Sequence, residues 1–330
     1  PDLALARQQL IHLKTVDSPD DPDLAGLEAL AGREDLPPES REHAGYGLAK
    51  AYLDLDRPGE AFAAAARANA DREARVGLFD IPAWRRRVAD IRVSESEDPA
   101  RGSPRGGPAP VFLLTAPRAG ATLLEQMLTS LPGLESRGED PVIEQILATH
   151  APDWPHVPPT DAALDAMRDA YAAGGLDSVN KLPGNIRLAG ILRRLFPEAR
   201  FLRVTRDIRD TGLSMFLRDF PDAARFTTDL ESIRAYLEGI EALADRWDEL
   251  FGQAIHKVAY ESLVAEPETT LKGILEFLGR PWDPACLEPA GNTGPVSTLS
   301  HAEVRRPVHT GAVGRWRRFE TLLGPLTDPD

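Results

Sequence analysis

The 330-residue chain contains one cysteine, Cys286. An intrachain disulfide and a thiolate metal site are therefore excluded, and a reducing, cytoplasmic setting is expected. No apolar run approaches the ~20 residues needed to span a bilayer, and no charged-then-apolar segment of signal-peptide type opens the chain, so a soluble protein is expected. A proline in first position is the expectation for a chain whose natural start lies upstream. Basic residues are in deficit: 38 Lys and Arg face 52 Asp and Glu, for a net charge of −14. That balance disfavours nonspecific nucleic-acid binding, which draws its affinity from phosphate neutralisation. Arginine is nonetheless concentrated in the second half, as a local positive pocket within an acidic whole requires. Residues 1–95 offer no strand candidate. They are rich in Ala and Leu with helical patterning, and the run Gly47-Leu48-Ala49, Tyr52, then Pro58 to Phe62 and Ala65 is similar to one tetratricopeptide helix pair. Residues 96–109, rich in Ser, Asp, Pro and Gly, read as a linker. Residues 110–330 are expected to form the second domain.

What the second domain contains begins with PVFLLTAPRAGATLLEQMLTSL, Pro110 to Leu131. Val111 to Leu114 is the short unbroken apolar run of a central parallel strand. Gly120 lets backbone approach a ligand, Arg118 adds a cation, and Thr122 opens a helix whose first N–H groups lack internal partners. Leu123, Leu124, Met127, Leu128 and Leu131 recur at helical spacing, so one face packs on the sheet. A strand, a tight loop and a helix in that order form an anion site. The loop lacks the upstream Gly and the Gly-Lys-Ser/Thr ending of nucleoside triphosphate loops, which disfavours a kinase or ATPase.

The residues Pro117-Arg118-Ala119-Gly120-Ala121-Thr122-Leu123 resemble the Pro-Arg-Ser-Gly-Thr-Thr-Leu loop of sulfotransferases that use 3′-phosphoadenosine 5′-phosphosulfate (PAPS), in the branch with helical-repeat N-termini related to tyrosylprotein sulfotransferases. Two hydroxyls usual in that family are absent, at Ala119 and Ala121. Four further blocks resemble the family in the same order. Arg137-Gly138-Glu139-Asp140 resembles its Gly-Glu, which implies Glu139 as general base, with Asp140 as the fallback. Asn180-Lys181-Leu182-Pro183 resembles its Asn-Lys block, which implies that Lys181 reaches the bridging oxygen of the leaving group. Arg206 at a strand end and Ser214 on the following helix resemble its 3′-phosphate site, although Ile208 stands where Pro is common. Tyr260, in a Tyr-Glu-x-Leu block, is a candidate nucleotide contact. Ser297, Ser300, Arg305 and Arg306, followed by Gly314-Arg315-Trp316, resemble the C-terminal lid, with Glu303 in the usual place of Gln.

Taken singly, each of these residues also has a plain explanation: a solvated Lys, a surface Arg, a core Tyr, an acidic pair in a loop. Together, the resemblance implies an α/β fold with a P-loop-like parallel sheet flanked by helices, preceded by an all-α repeat-like domain. It also implies in-line sulfuryl transfer from PAPS to an acceptor hydroxyl without a metal ion, leaving adenosine 3′,5′-bisphosphate. Arg118 through Leu123 would bind the 5′-phosphosulfate. The acceptor is left open between a peptide tyrosine, a glycan and a small molecule. Trp154 and His156 are expected to border its cleft. The alternative is a catalytically lapsed nucleotide-binding scaffold that recruits a protein partner through its helical domain.

Overall fold

A computed structural model describes residues 3–95, 97–99, 109–288 and 308–327. It divides into two compact units, each assembled from separate stretches of chain: residues 1–81, 207–237 and 311–330 in one, 82–206 and 238–310 in the other.

The first unit is helical among the described residues. It holds α1 (Leu3–Leu13), α2 (Pro22–Ala31), α3 (Pro38–Asp54) and α4 (Pro58–Val76). Prolines open α2, α3 and α4, where a missing N–H costs nothing because the first turn has no partner for it. Small residues set how closely these helices approach. A Cβ on Gly45 would lie 2.8 Å from the Ala68 Cβ, so α3 and α4 pack almost backbone to backbone.

The second unit is built on a parallel sheet. Its elements are α5 (Ile81–Ser94, of which Ile81 falls in the first unit), β1 (Val111–Thr115), α6 (Ala121–Leu128), β2 (Glu135–Gly138), α7 (Val142–His150), α8 (Asp161–Ala172), β3 (Ser178–Asn180), α9 (Asn185–Leu195) and β4 (Arg200–Thr205). The chain then passes through α10 (Ile208–Phe216), which belongs to the helical unit, and α11 (Leu230–Phe251), which begins there. It returns to the sheet with β5 (Ile255–Ala259), α12 (Tyr260–Ala265) and α13 (Pro267–Leu278). The strand order is β2-β3-β1-β4-β5, and every pairing is parallel.

Strand β1 is buried along its whole length, as its unbroken apolar run requires. Alternation divides its side chains between two faces. Val111 and Leu113 join Leu124, Met127 and Leu128 of α6 and Ile274 and Leu275 of α13 in one core. Phe112 points the other way, into an aromatic layer with Phe201, Tyr171 and Phe196 at centroid distances of 5.8, 5.5 and 6.0 Å. On that side Trp247 of α11 donates to Ile186 O at 2.7 Å. Helix α5 also belongs to this unit, with Arg193 and Arg194 of α9 pairing with Asp98 and Glu95 just beyond it. The five-stranded parallel sheet flanked by helices and the all-helical N-terminal region agree with the fold class expected from the sequence.

Candidate active site

In a parallel sheet all strands end on one edge, and loops leaving that edge collect at the crevice where the strand order reverses. Here β1 is central, with β3 on one side and β4 on the other. The loop Ala116–Gly120 follows β1, Glu139 follows β2, Lys181 follows β3, Arg206 follows β4 and Tyr260 follows β5. The five segments singled out in the sequence thus leave the carboxyl ends of five different strands.

The β1 loop turns sharply. Arg118 has φ 67° and Gly120 has φ 106°, and α6 starts at the next residue. The ring of Tyr260 lies against Gly120 so closely that a Cβ there would fall 2.4 Å from the Tyr260 Cδ2. Only glycine accommodates both the dihedral and the ring. Arg206 completes this side: its Nη1 donates to Arg118 O at 2.9 Å, and its Cζ stands 4.6 Å from the Tyr260 ring centroid. A guanidinium, an aromatic face and a helix N-terminus are therefore held together by main-chain and cation–π contacts. Ala119 is buried, Thr122 lies in the first turn of α6, and Leu123 packs against the sheet core.

On the other side of β1, Lys181 is only 3% exposed, and its Nζ donates to Glu139 Oε1 at 2.8 Å. The Glu139 side chain is 42% exposed, so one end of the pair is buried and the other reaches solvent. Asp140, the alternative base, is otherwise engaged. It accepts from Arg137 Nε at 2.9 Å and from Val142 N at 3.0 Å, which starts α7. The Arg137 guanidinium is itself stacked 4.0 Å from the Tyr171 ring centroid. Asp140 thus builds the turn, and Glu139 is the carboxylate left facing outward.

Two side chains that sequence reasoning passes over support this pair. Asn185, 2% exposed, donates to both Asn180 O and Asn180 Oδ1, and Asn180 in turn accepts from Leu182 N and donates to Asp140 O. This buried asparagine pair fixes the bend that carries Lys181. Glu125 on α6, 2% exposed, accepts from Ser136 Oγ at 2.8 Å and from Gly138 N at 3.0 Å. Burial holds its carboxyl above the ordinary carboxylate range, opposed by the nearby Lys181 charge and by these two donors. The available signal is its position between Leu124 and Met127, inside the apolar stripe where a solvated glutamate does not belong.

Ser214 is half-buried on α10, in the helical unit. Ser297, Ser300, Glu303, Arg305 and Arg306 lie outside the described residues. Trp316 is buried in the helical unit, with Arg209 Cζ 3.7 Å from its ring centroid. Trp154 is buried beneath Arg87, which donates to Trp154 O at 2.6 Å, while the exposed His156 ring lies 3.6 Å from Asp90. Both are thus held by residues of α5. Among the described residues no group of acidic, His or Cys side chains could hold a metal ion, and no helix is long and apolar enough to cross a membrane.

Residues 159–284 match the model of the Sulfotransferase family. An uncharacterized protein of Aquifex aeolicus is 28% identical over 338 aligned residues, covering 93% of this chain and 44% of that protein. Protein-tyrosine sulfotransferase 2 of Gallus gallus is 30% identical over 235 residues, covering 62% of each. Among solved structures, the sulfotransferase domain of the Synechococcus olefin synthase is 20% identical with a TM-score of 0.44, covering 68% of this chain and 97% of that domain. The chain spans between 44% and 62% of the length of the two curated relatives just named. Its residues 159–284 carry the Sulfotransferase family match, and over 62% of its length the chain is similar to protein-tyrosine sulfotransferases.

Proposed function

We propose that the protein transfers a sulfuryl group from PAPS to a hydroxyl acceptor, with Glu139 as general base and Lys181 and Arg118 stabilising charge. The observation that carries this reading is the buried Lys181 ammonium paired with the outward-facing Glu139 at 2.8 Å, on strand ends that neighbour the β1 loop. The family match and the homology to protein-tyrosine sulfotransferases support the reaction class, and a peptide tyrosine is the acceptor proposed first.

The residues fit an anionic nucleotide donor in kind. Arg118, the N–H groups opening α6 and Arg206 are anion-binding groups, and the Tyr260 ring beside them offers an apolar face. When bound, the donor supplies the sulfur that the acceptor oxygen attacks as its bond to the phosphate oxygen breaks. Glu139 accepts the acceptor's hydroxyl proton, for which an exposed carboxylate oxygen is suited. Lys181, held out of water on β3's carboxyl end, neutralises negative charge developing on the leaving side. An ammonium fixed in a desolvated position does this with little reorganisation. Arg206 holds the 3′-phosphate through its guanidinium fork.

Adenosine 3′,5′-bisphosphate at millimolar concentration should raise the melting temperature, and Arg206→Ala should remove that shift. Wild-type protein should move labelled sulfate from PAPS to a tyrosine peptide, and Glu139→Gln should lower the rate at least a hundredfold with bisphosphate binding retained. No melting shift in the wild type would refute nucleotide binding.

A further inference from the structure

The β2–β3 pairing is irregular where it meets the site. Its register shifts between Ser136 and Gly138, and Gly138 takes φ 59°, a left-handed conformation natural to glycine. At such a bulge a backbone group leaves the regular ladder and needs another partner. The Gly138 N–H finds it in the Glu125 carboxylate at 3.0 Å and the Ser136 hydroxyl at 3.2 Å. The carbonyl of the same residue accepts from Lys181 N at 2.9 Å. Gly138 is thus gripped from both sides, by α6 through its N–H and by the start of the Lys181 segment through its C=O. Glu139, the next residue, pairs with the side chain of that same Lys181.

We infer that Glu125 is a positioning residue: by holding the Gly138 N–H it fixes the bulge that aims Glu139 at Lys181, and it ties that pair to the helix whose N-terminus follows the β1 loop. The inference rests on the sulfuryl-transfer reading for its catalytic consequence, and on the hydrogen bonds alone for its structural one. Three features separate Glu125 from an incidental buried acid. Its side chain is 2% exposed, so its acceptor is not shared with bulk water. Ser136 Oγ and Gly138 N both meet the same oxygen, Oε1, which orients the carboxylate. It lies one turn into α6, and a rigid helix transmits the position of its first turn to the carboxylate. The charged groups bearing on it are Lys181, which attracts it, and Glu139, which repels it. A carboxylate there therefore also helps balance the buried ammonium.

The test compares Glu125→Leu with Glu125→Gln. Leucine suits a buried site beside Leu124 and Leu128 and removes the acceptor, whereas glutamine keeps an amide oxygen where Oε1 stands. Glu125→Leu should lower kcat for sulfuryl transfer at least tenfold with the donor KM within threefold of wild type, and Glu125→Gln should restore most of the loss. Amide hydrogen exchange at Gly138, read by NMR, should be slow in the wild type and in Glu125→Gln and at least tenfold faster in Glu125→Leu. Rapid exchange of Gly138 in the wild type would overturn the inference even if Glu125→Leu failed to fold. So would equal loss of rate in the two variants, or unchanged exchange in Glu125→Leu. If the wild type transfers no sulfuryl group, the proposed function falls while the exchange measurements still decide the role of Glu125.

Discussion

At the scale of single residues, Gly120 carries two constraints at once: a φ of 106° and a Tyr260 ring that leaves no room for a Cβ. Gly120→Ala should therefore destabilise the protein by about 1–3 kcal/mol, the cost of a strained dihedral, and push Tyr260 and the neighbouring Arg206 out of place. A lowered urea midpoint together with loss of the bisphosphate melting shift is the expected result; an unchanged midpoint would show that the loop relaxes freely. The glycine is legible in the sequence because a strand, a turn and a helix follow one another there. Lys181 and Glu139 are legible only as parts of a set, since a lone lysine or acidic loop residue is more often solvated. Glu125 is marked in the sequence only by its place in the apolar stripe of α6, which calls for a partner without naming one. The partners are tertiary: Ser136 and Gly138 bring their donors to it from β2.

At the scale of elements, β1 is an unbroken apolar run, and β4, RFLRVT, is apolar apart from its two arginines and Thr205, so both are readable as strands. Strand β2, Glu135–Gly138, is polar and partly exposed at the sheet edge and carries no such signal. Its strand character comes from pairing with β3, which local sequence does not encode. The same limit applies to α10. Its first turn holds Asp210, 2% exposed, whose carboxylate accepts from Gly314 N at 2.6 Å and Trp316 N at 2.8 Å. Asp210 thereby caps the 3-10 segment Arg315–Leu322 from more than a hundred residues away in sequence. Charged hydrogen bonds of this kind contribute roughly 1.5–3 kcal/mol each. Asp210→Ala should lower stability by about 3 kcal/mol in urea unfolding and shift the Trp316 emission to longer wavelength, with Asp210→Asn intermediate because its amide keeps only one acceptor oxygen. Equal stability of Asp210→Ala and wild type would show that the segment does not depend on this cap.

At the scale of the whole molecule, both compact units are assembled from interleaved stretches of chain, and α10 enters the helical one directly after β4. Composition along the chain cannot report this, because an amphipathic helix presents the same stripe whichever partner it packs against. Within the helical unit the partners are specific: Tyr46 OH donates to Asn69 Oδ1 at 2.6 Å, and Asn69 Nδ2 donates to Phe216 O at the end of α10 at 3.0 Å. Burial also gives the molecule an alkaline limit. Tyr171 is fully buried between Phe112 and Phe196, and its phenol is pushed up to about 12, chiefly by desolvation. A phenol held protonated by the fold binds its proton more tightly in the native than in the unfolded state. Its contribution is therefore intact below the ordinary value near pH 10 and is lost as pH climbs toward 12, because the unfolded chain ionises first. By pH 12 this residue alone removes about 2 kcal/mol of stability. Tyr46, buried more tightly than most, is shifted in the same direction by the same cause and adds to the loss. Melting temperature measured from pH 9 to 11.5 should fall with a slope that Tyr171→Phe makes shallower, because phenylalanine has no proton to lose, and tyrosinate absorbance should rise with unfolding rather than before it. A slope identical in the two proteins would mean that Tyr171 ionises equally well in the folded state.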